Sequence, residues 1–191
     1  VEERKGVKLV IEAIKETILR VPSARFCFIG HCGDDKNKNL NANTKLAPKV
    51  LLATLPKKYH SSVAFTDYIH HSRVPLIIQA GDVFPIMSIG DNFPGSVVEI
   101  SLSAKPIIAL ERGGVKEMLS DDFGKLIALS AGKKLESAAQ QLSKKLIFLA
   151  SKPEYREEIG SRLRNLMLHK FSSDKTISKI LSQYKAVLEN N

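Results

Sequence analysis

The chain has 191 residues, with 29 Lys and Arg against 20 Asp and Glu, and a formal net charge of +9. A chain of this length buries about 70% of its unfolded surface, so we expect one domain that folds without a disulfide or metal. No apolar run approaches the roughly 20 residues that cross a bilayer, and the charged amino terminus does not resemble a signal peptide. Composition therefore predicts a globular protein rather than a membrane-spanning one.

The basic balance favours phosphorylated or polyanionic partners, or an anionic membrane face, with a merely solubilising surface as the plainer alternative. Aromatic residues make up 6% with no Trp, so there is no stacking platform for single strands, and nucleic acid is not an expected partner. Cys27 and Cys32 show no metal or redox spacing, and Cys27 lies in an apolar run where we expect a core residue. This cysteine usage fits a reducing, cytoplasmic location.

Hydrophobic periodicity predicts alternating helices and strands. The first half is predicted to hold a helix over 7–19, a strand over 25–29, a loop over 31–45, a helix over 48–59 interrupted or ended near Pro56, a strand over 62–69, a helix over 74–80 and a strand over 82–87. The second half follows with a strand over 105–110, a helix over 115–119, a strand over 125–129 and helices over 135–149, 153–171 and 174–188. This order predicts an α/β fold, a Rossmann-like open parallel sheet flanked by helices, with further helices at the carboxyl end.

No strand precedes the first predicted helix, although an α/β sheet normally starts with one. We expect either that this strand is missing or that the chain is a fragment of a larger protein. The last predicted helix has an apolar side that needs a surface to pack on, formed by Ile177, Ile180, Leu181, Tyr184 and Val187.

The stretch over residues 90–117, GDNFPGSVVEISLSAKPIIALERGGVKE, concentrates polar chemistry beside predicted strand ends. Pro94 suits the first turn of a helix, and the amides of Gly95 and Ser96 would then form a phosphate site at its amino terminus. Asp91 lies just before this helix and Glu99 about one turn inside it. Carboxylates accept hydrogen bonds from sugar or ribose hydroxyls strongly, so both acids suit such a ligand.

A glycine pair, Gly113-Gly114, follows the next predicted strand, with Glu117 one helical turn further on. Taken singly, the acids read as surface residues and the glycines as a turn. The ordered set is more specific, because the carboxyl ends of parallel strands meet at one edge of a sheet, where ligands bind.

These residues resemble a known family. DNFPGSVVE resembles the Glu-x7-Glu motif of retaining glycosyltransferases with the GT-B fold, especially family 4, and RGGVKE resembles the GG-x-x-E of that family. Four other stretches resemble family segments in the right order: RKGVKLVIEAI, RFCFIGHCGDD, SVAFTDYI and DDFGKLIAL. The resemblance covers about residues 4 to 130. It implies that residues 1–191 form a single nucleotide-sugar-binding domain, the C-terminal half of a two-domain enzyme whose first strand and N-terminal domain precede it.

The resemblance also implies roles for individual residues. Lys5 and the amides at the helix start would hold a diphosphate, Glu99 the ribose hydroxyls, and Asp91 the hydroxyls of the donor sugar. The implied catalytic residues are Asp91 and Lys5, and the implied donor-binding residues are Phe93, Gly95, Ser96, Glu99, Gly30, Gly33, Tyr68 and Ile69.

Some positions depart from the family pattern. Asp91 is one methylene shorter than the usual Glu, while Asp67 and Ala104 stand where glycines are usual. For Arg112, a solvated loop side chain and a site near the diphosphate are equally good interpretations. The preferred interpretation of His31, His70 and His71 is that they are polar loop residues, because none has a metal partner at suitable spacing.

The resemblance implies retaining glycosyl transfer from a nucleotide-activated sugar to a saccharide or lipid-linked acceptor, without a metal or other cofactor. The missing N-terminal domain would hold the acceptor, so the isolated domain should turn over little. The basic surface suggests peripheral contact with the inner face of the membrane. A nucleotide-sugar epimerase of the same fold and a non-catalytic nucleotide-sugar-binding module are the alternatives. A dehydrogenase is disfavoured, because no G-x-G-x-x-G opens a helix after a first strand.

Overall fold

The structure is a computed structural model that describes residues 3–32, 47–119, 128–130 and 135–189. The helices are α1 Val7–Arg20, α2 Pro48–Leu52, α3 Val74–Ala80, α4 Gly95–Leu102, α5 Gly114–Leu119, α6 Leu135–Ala150, α7 Pro153–Lys170 and α8 Ser173–Glu189. The strands are β1 Phe26–Phe28, β2 Val63–Phe65, β3 Phe84–Ile86, β4 Ile107–Glu111 and β5 Ala128–Ser130. Short 3₁₀ turns span Glu3–Lys5, Lys57–Ser62 and His71–Arg73. The alternation of helices and strands confirms the predicted α/β class.

The predicted helix over 48–59 is shorter than expected. It ends at Leu52, and the chain resumes as a 3₁₀ turn only after Pro56. Proline cannot donate the helical hydrogen bond and disfavours helical geometry in the residue before it, which explains the break. Most of the predicted polar loop over 31–45 lies outside the described residues.

The described strands form two parallel sheets rather than one. In the first, β1 pairs with β2 and Phe26 lies opposite Val63. In the second, β4 lies between β3 and β5, and four of its residues are buried: Ile107, Ile108, Ala109 and Leu110. Parallel strands with both faces covered read as continuous apolar runs, which is why this segment was recognisable in the sequence.

Each sheet has its own hydrophobic cluster, and Val10 and Phe26 pack against both. Helix α1 contributes to both clusters, since Leu9 and Ala13 pack with the second sheet while Ile11 and Ile14 pack with the first. This helix also packs against α6. The first helix therefore holds the two sheets in one body.

Helix α7 packs closely against the end of α4. A side chain at Gly160 would overlap the backbone oxygen of Ala104, and the guanidinium of Arg164 donates to the oxygen of Leu102 over 3.0 Å. Ala104 adopts a left-handed conformation with φ 54°, which explains why glycine is usual there in the resembling family. The carboxyl end of α4 is thus fixed, and with it the direction in which α4 presents its amino terminus.

Two faces are less covered than the sequence suggested. Cys27 is exposed, so its prediction as a core residue is wrong. Alternate residues of a strand point to opposite faces, and Phe26 and Phe28 take the packed face of β1. The apolar side of α8 is also exposed.

Candidate active site

The loops that follow β3 and β4 touch through their backbones. The amide of Gly114 donates to the oxygen of Asp91 over 2.9 Å. A side chain at Gly114 would overlap the oxygen of Asn92, and Gly113 has φ +55°, a conformation that favours glycine. The glycine pair therefore holds the Asp91 loop at the carboxyl edge of the sheet.

The segment before α1 reaches the same edge. Gly6 has φ +71°, and a side chain there would overlap the backbone oxygen of Met87, which follows β3. The amide of Ile89 donates to the oxygen of Arg4 over 2.9 Å. This close approach places Lys5 beside the loop that carries the first of the two acids.

Lys5 and Asp91 form an ion pair in which the ammonium group donates to Oδ2 of the carboxylate. The side chain of Asp91 is only 17% exposed, while that of Lys5 is 44% exposed. The two residues with implied catalytic roles are thus in contact although they lie 86 positions apart. Lys5 keeps enough exposure to reach a ligand anion as well.

Helix α4 starts at Gly95, with Pro94 as the residue before it rather than within its first turn as predicted. The first amides of any helix lack acceptors within it, and the helix dipole adds partial positive charge there. A side chain at Gly95 would meet nothing within 4 Å, so the space beside the first residue of α4 is open. The geometry suits an anion placed against Gly95 and Ser96.

Glu99 lies one turn into α4 and is 42% exposed. Nε2 of His71 lies 3.2 Å from its Oε1. His71 begins the 3₁₀ turn that precedes α3, so this contact joins that turn to α4.

The same turn borders a recess of about 450 Å³. It is lined by Tyr68, Ile69, His70, Ser72, Arg73 and Ile77. Tyr68 is 74% exposed, and an exposed aromatic ring can stack on a flat partner. Two of the implied donor-binding residues, Tyr68 and Ile69, thus lie together in a recess beside the turn that reaches Glu99.

The loops after β1 and β2 are joined by Asp67. Its Oδ1 lies 2.8 Å from Nδ1 of His31 and accepts from the amide of Cys32 over 3.3 Å. Gly30 has φ +117°, and a side chain there would meet nothing within 4 Å. Gly33, the other glycine with an implied role, lies outside the described residues.

Asp67 itself has φ 57°, a conformation usual for glycine. The hydrogen bond with His31, followed by that from the Cys32 amide, lowers the pKa of its carboxyl group. A side chain that replaces the family's glycine therefore adds a bridge between the two loops.

We expect Asp67→Asn to destabilise the protein modestly at neutral pH, while keeping the left-handed backbone that Asn tolerates. Because the folded pKa is lowered, the charge contributes stability above the unfolded pKa, and this contribution is lost as pH falls through the folded value. Urea unfolding should show a difference between variant and wild type at pH 7 that shrinks below about pH 4. If variant and wild type differ in the free energy of unfolding by the same amount at pH 7 and below pH 4, the charge of Asp67 does not supply this stability.

The structure brings several of the implied residues together and leaves others apart. Phe93, Gly95, Ser96 and Glu99 share one loop and helix with Asp91, and the ring of Phe93 contacts Phe171 edge-on at 5.4 Å. Gly30 lies two residues after the end of β1, which belongs to the other sheet.

Two contributors were missed in the sequence. A glycine between a charged segment and a helix was the signal for Gly6. His71 was interpreted as a polar loop residue, and no local spacing marked its contact, because Glu99 lies 28 positions away.

Residues 1–150 match the sequence model of the family described as Glycosyl transferases group 1. The chain belongs to this family. No curated protein sequence matches it.

Several solved structures have the same fold as this member of the group 1 family. Sucrose-phosphate synthase from Thermosynechococcus elongatus aligns with TM-score 0.76 and 16% identity, over 100% of this chain and 44% of that one. HepE from Anabaena in complex with UDP gives 0.74 and 16%, over 97% and 46%. A glycosyltransferase from Rickettsia africae gives 0.72 and 19%, over 98% and 45%. The chain has the fold of one half of a GT-B glycosyltransferase, and it spans less than half the length of these proteins.

Within the described ranges of this group 1 chain, no helix is long and apolar enough to cross a membrane.

Proposed function

We propose that this chain binds a nucleotide-activated sugar and forms the C-terminal, donor-binding half of a retaining glycosyltransferase of family 4. The observation that carries the proposal is the Lys5–Asp91 ion pair, which accompanies the open amino terminus of α4 at one edge of the sheet. Membership in the group 1 family supports the reaction class.

Different residues of the site suit the different parts of a nucleotide-sugar. Gly95, Ser96 and Lys5 suit the diphosphate, because backbone amides and an ammonium group both stabilise negative charge. Glu99 suits the ribose hydroxyls, since it lies between those amides and the turn that borders the recess. The recess at Tyr68 and Ile69 then takes the base.

Asp91 and the backbone of Phe93 are assigned to hydroxyls of the donor sugar, and Gly30 and Gly33 to close approach of the nucleotide. Asp91 already accepts from Lys5, so one carboxylate oxygen is engaged and the other is available to a hydroxyl. The shorter Asp side chain thus retains a sugar-binding capacity.

Breaking the sugar–phosphate bond leaves an anionic nucleoside diphosphate and an oxocarbenium-like sugar. Groups aimed at the charge that develops contribute most to such a step. Lys5 and the α4 amides stabilise the leaving diphosphate, and in this proposal no resident metal or cofactor is needed to do so. The acceptor hydroxyl attacks the anomeric carbon of the sugar as the bond from that carbon to the phosphate oxygen breaks. The hydroxyl proton passes to the leaving phosphate oxygen.

The choice of which base to test first comes from a structurally similar protein rather than from a contact in this chain. HepE has been solved with UDP and with UDP-glucose. We therefore place UDP first among the nucleotides to test.

The acceptor, a saccharide or a lipid-linked sugar, is assigned to a preceding N-terminal domain. The doubly wound strand order 3-2-1-4-5-6 places the first strand between the second and the fourth. With β1 and β3 in those positions, a strand from that domain's boundary would complete one continuous sheet. The protein would act in the cytoplasm, with its basic surface against the inner face of the membrane.

A non-catalytic nucleotide-sugar-binding module is the second candidate, because Asp91 stands where the family motif has Glu. An epimerase of the same fold is a weaker alternative. Titration of the longer protein with UDP-sugars separates these candidates. Nucleotide release upon addition of an acceptor supports the transferase, whereas binding without release supports the module.

Calorimetric titration of the 191-residue chain with UDP, GDP, ADP and dTDP tests the proposal. We expect one nucleotide to bind, and Glu99→Ala to weaken that binding about tenfold, because a hydrogen bond to a charged group is lost. Glu157→Ala on the exposed side of α7 is the matched control and should bind like wild type. Absence of binding by all four nucleotides to folded protein would overturn the proposal.

A further inference from the structure

His71 contacts the carboxylate assigned to the ribose from a different element of the fold. Its Nε2 lies 3.2 Å from Oε1 of Glu99, and His71 itself is 87% exposed on its side-chain surface. We propose that His71 is a positioning residue that fixes the Glu99 carboxylate for the ribose hydroxyls, and this inference rests on the proposed function above.

The turn that presents His71 is held on both sides. Nδ1 of His70 accepts from the amide of Ser72 over 3.4 Å, and the amide of Arg73 donates to the oxygen of His70 over 2.9 Å. A side chain that accepts from an amide two residues on caps a turn in the manner of N-cap residues. The backbone of His71 is therefore set by the residues immediately around it.

Helix α3, which follows this turn, is anchored in the protein. Ile78 is buried in the core of the second sheet, and the ammonium group of Lys105 donates to the oxygen of Gln79 over 2.8 Å. These contacts tie the turn to the same body that carries α4. The imidazole thus approaches Glu99 from a fixed support, although its own ring faces solvent.

The chemistry of the two groups fits this role. With its proton on Nε2, a neutral imidazole donates to one oxygen of the carboxylate. A carboxylate has about four acceptor sites, so Glu99 still accepts from two ribose hydroxyls while bonded to His71. Without the imidazole, the long Glu99 side chain rotates more freely in the unbound protein and must be ordered when the ribose binds.

The same turn links the ribose position to the base recess. Ser72 and Arg73 line the recess and are neighbours of His71 in the 3₁₀ turn. A base seated in the recess therefore contacts the segment that orients Glu99. The 3₁₀ turn would then contact the base directly and orient the Glu99 carboxylate that binds the ribose.

The test compares UDP with 2′,3′-dideoxy-UDP, which lacks the hydroxyls that Glu99 is proposed to hold. We expect His71→Ala to weaken UDP binding about fivefold, as for loss of one net hydrogen bond, and to leave dideoxy-UDP binding unchanged. His71→Gln keeps a donor near the position of Nε2 and should restore UDP affinity to within about twofold of wild type. His169→Ala, on the exposed side of α7, is the control for removal of an imidazole.

The outcomes separate this inference from the function on which it rests. Equal weakening of UDP and dideoxy-UDP by His71→Ala would show a general structural role and overturn the inference. An unchanged UDP affinity in His71→Ala would also overturn the inference. The same holds if His71→Gln binds UDP as weakly as His71→Ala does. If wild type binds neither UDP nor the other three nucleoside diphosphates, the proposed function fails and takes the inference with it.

Discussion

Replacing Gly114 with alanine is expected to weaken UDP binding more than tenfold and to lower the free energy of unfolding by about 1–3 kcal/mol. The added methyl group would overlap the backbone oxygen of Asn92, and backbone cannot move aside as a side chain does. The Asp91 loop would shift away from the sheet edge and lose the hydrogen bond from the Gly114 amide. Calorimetry with UDP and urea unfolding measure the two effects separately.

Gly90→Ala is the matched control, because a side chain at Gly90 would meet nothing within 4 Å in the same loop. It should bind UDP and unfold like wild type. If Gly114→Ala retains wild-type affinity for UDP while remaining folded, the Asp91 loop does not need its observed position. The assignment of this loop to the donor would then be wrong.

Lys5→Ala should weaken UDP binding by about 10- to 100-fold, since a hydrogen bond between charged groups is lost. The loss should be specific to the diphosphate, so binding of the nucleoside uridine should change little. The variant also leaves the Asp91 carboxylate, only 17% exposed, without the ammonium group that now neutralises it. Both consequences lower the affinity for a further negative charge at this edge.

A separate groove lies between α1 and α6 and is lined by residues that include Lys15, Gln140 and Lys144. Lys144→Ala removes one positive charge from this groove and controls for net charge. Competition titrations with UDP and uridine at about 150 mM salt limit screening effects to those of physiological conditions. If Lys5→Ala and Lys144→Ala weaken UDP equally, the affinity comes from overall charge rather than from a placed ammonium group.

The alternation of elements was predictable because apolar periodicity reports which faces are buried. Helix α3 and strand β4 are examples, since short apolar runs between turn residues marked both. The break of the sheet between β1 and β3 was not predictable from periodicity. Strand neighbours are set by tertiary pairing, which local patterns do not encode.

Part of the site could be predicted for a similar reason. Asp91, Gly95 and Glu99 lie on one loop and one helix, so their spacing in the sequence carries their geometry. The partners of these residues could not be found that way. Lys5 and His71 reach them from 86 and 28 positions away through contacts that depend on the whole fold.

Two residues that replace usual glycines keep the backbone conformation that glycine favours. Asp67 and Ala104 stand where the resembling family has glycine, and both keep a positive φ. The backbone shape was therefore retained although the residue that favours it was lost. The resemblance to the family marked both positions as departures, and the structure shows that Asp67 forms a bridge between two loops.

The central claim is that a nucleoside diphosphate binds across the amino terminus of α4, with its base in the recess at Tyr68. Backbone amide NMR spectra of the 191-residue chain during titration with UDP test this most directly. We predict the largest shifts at Gly95 and Ser96, accompanied by shifts at Tyr68 and Ile69. Shifts confined to the groove between α1 and α6, with those four amides unmoved at saturation, would contradict the account.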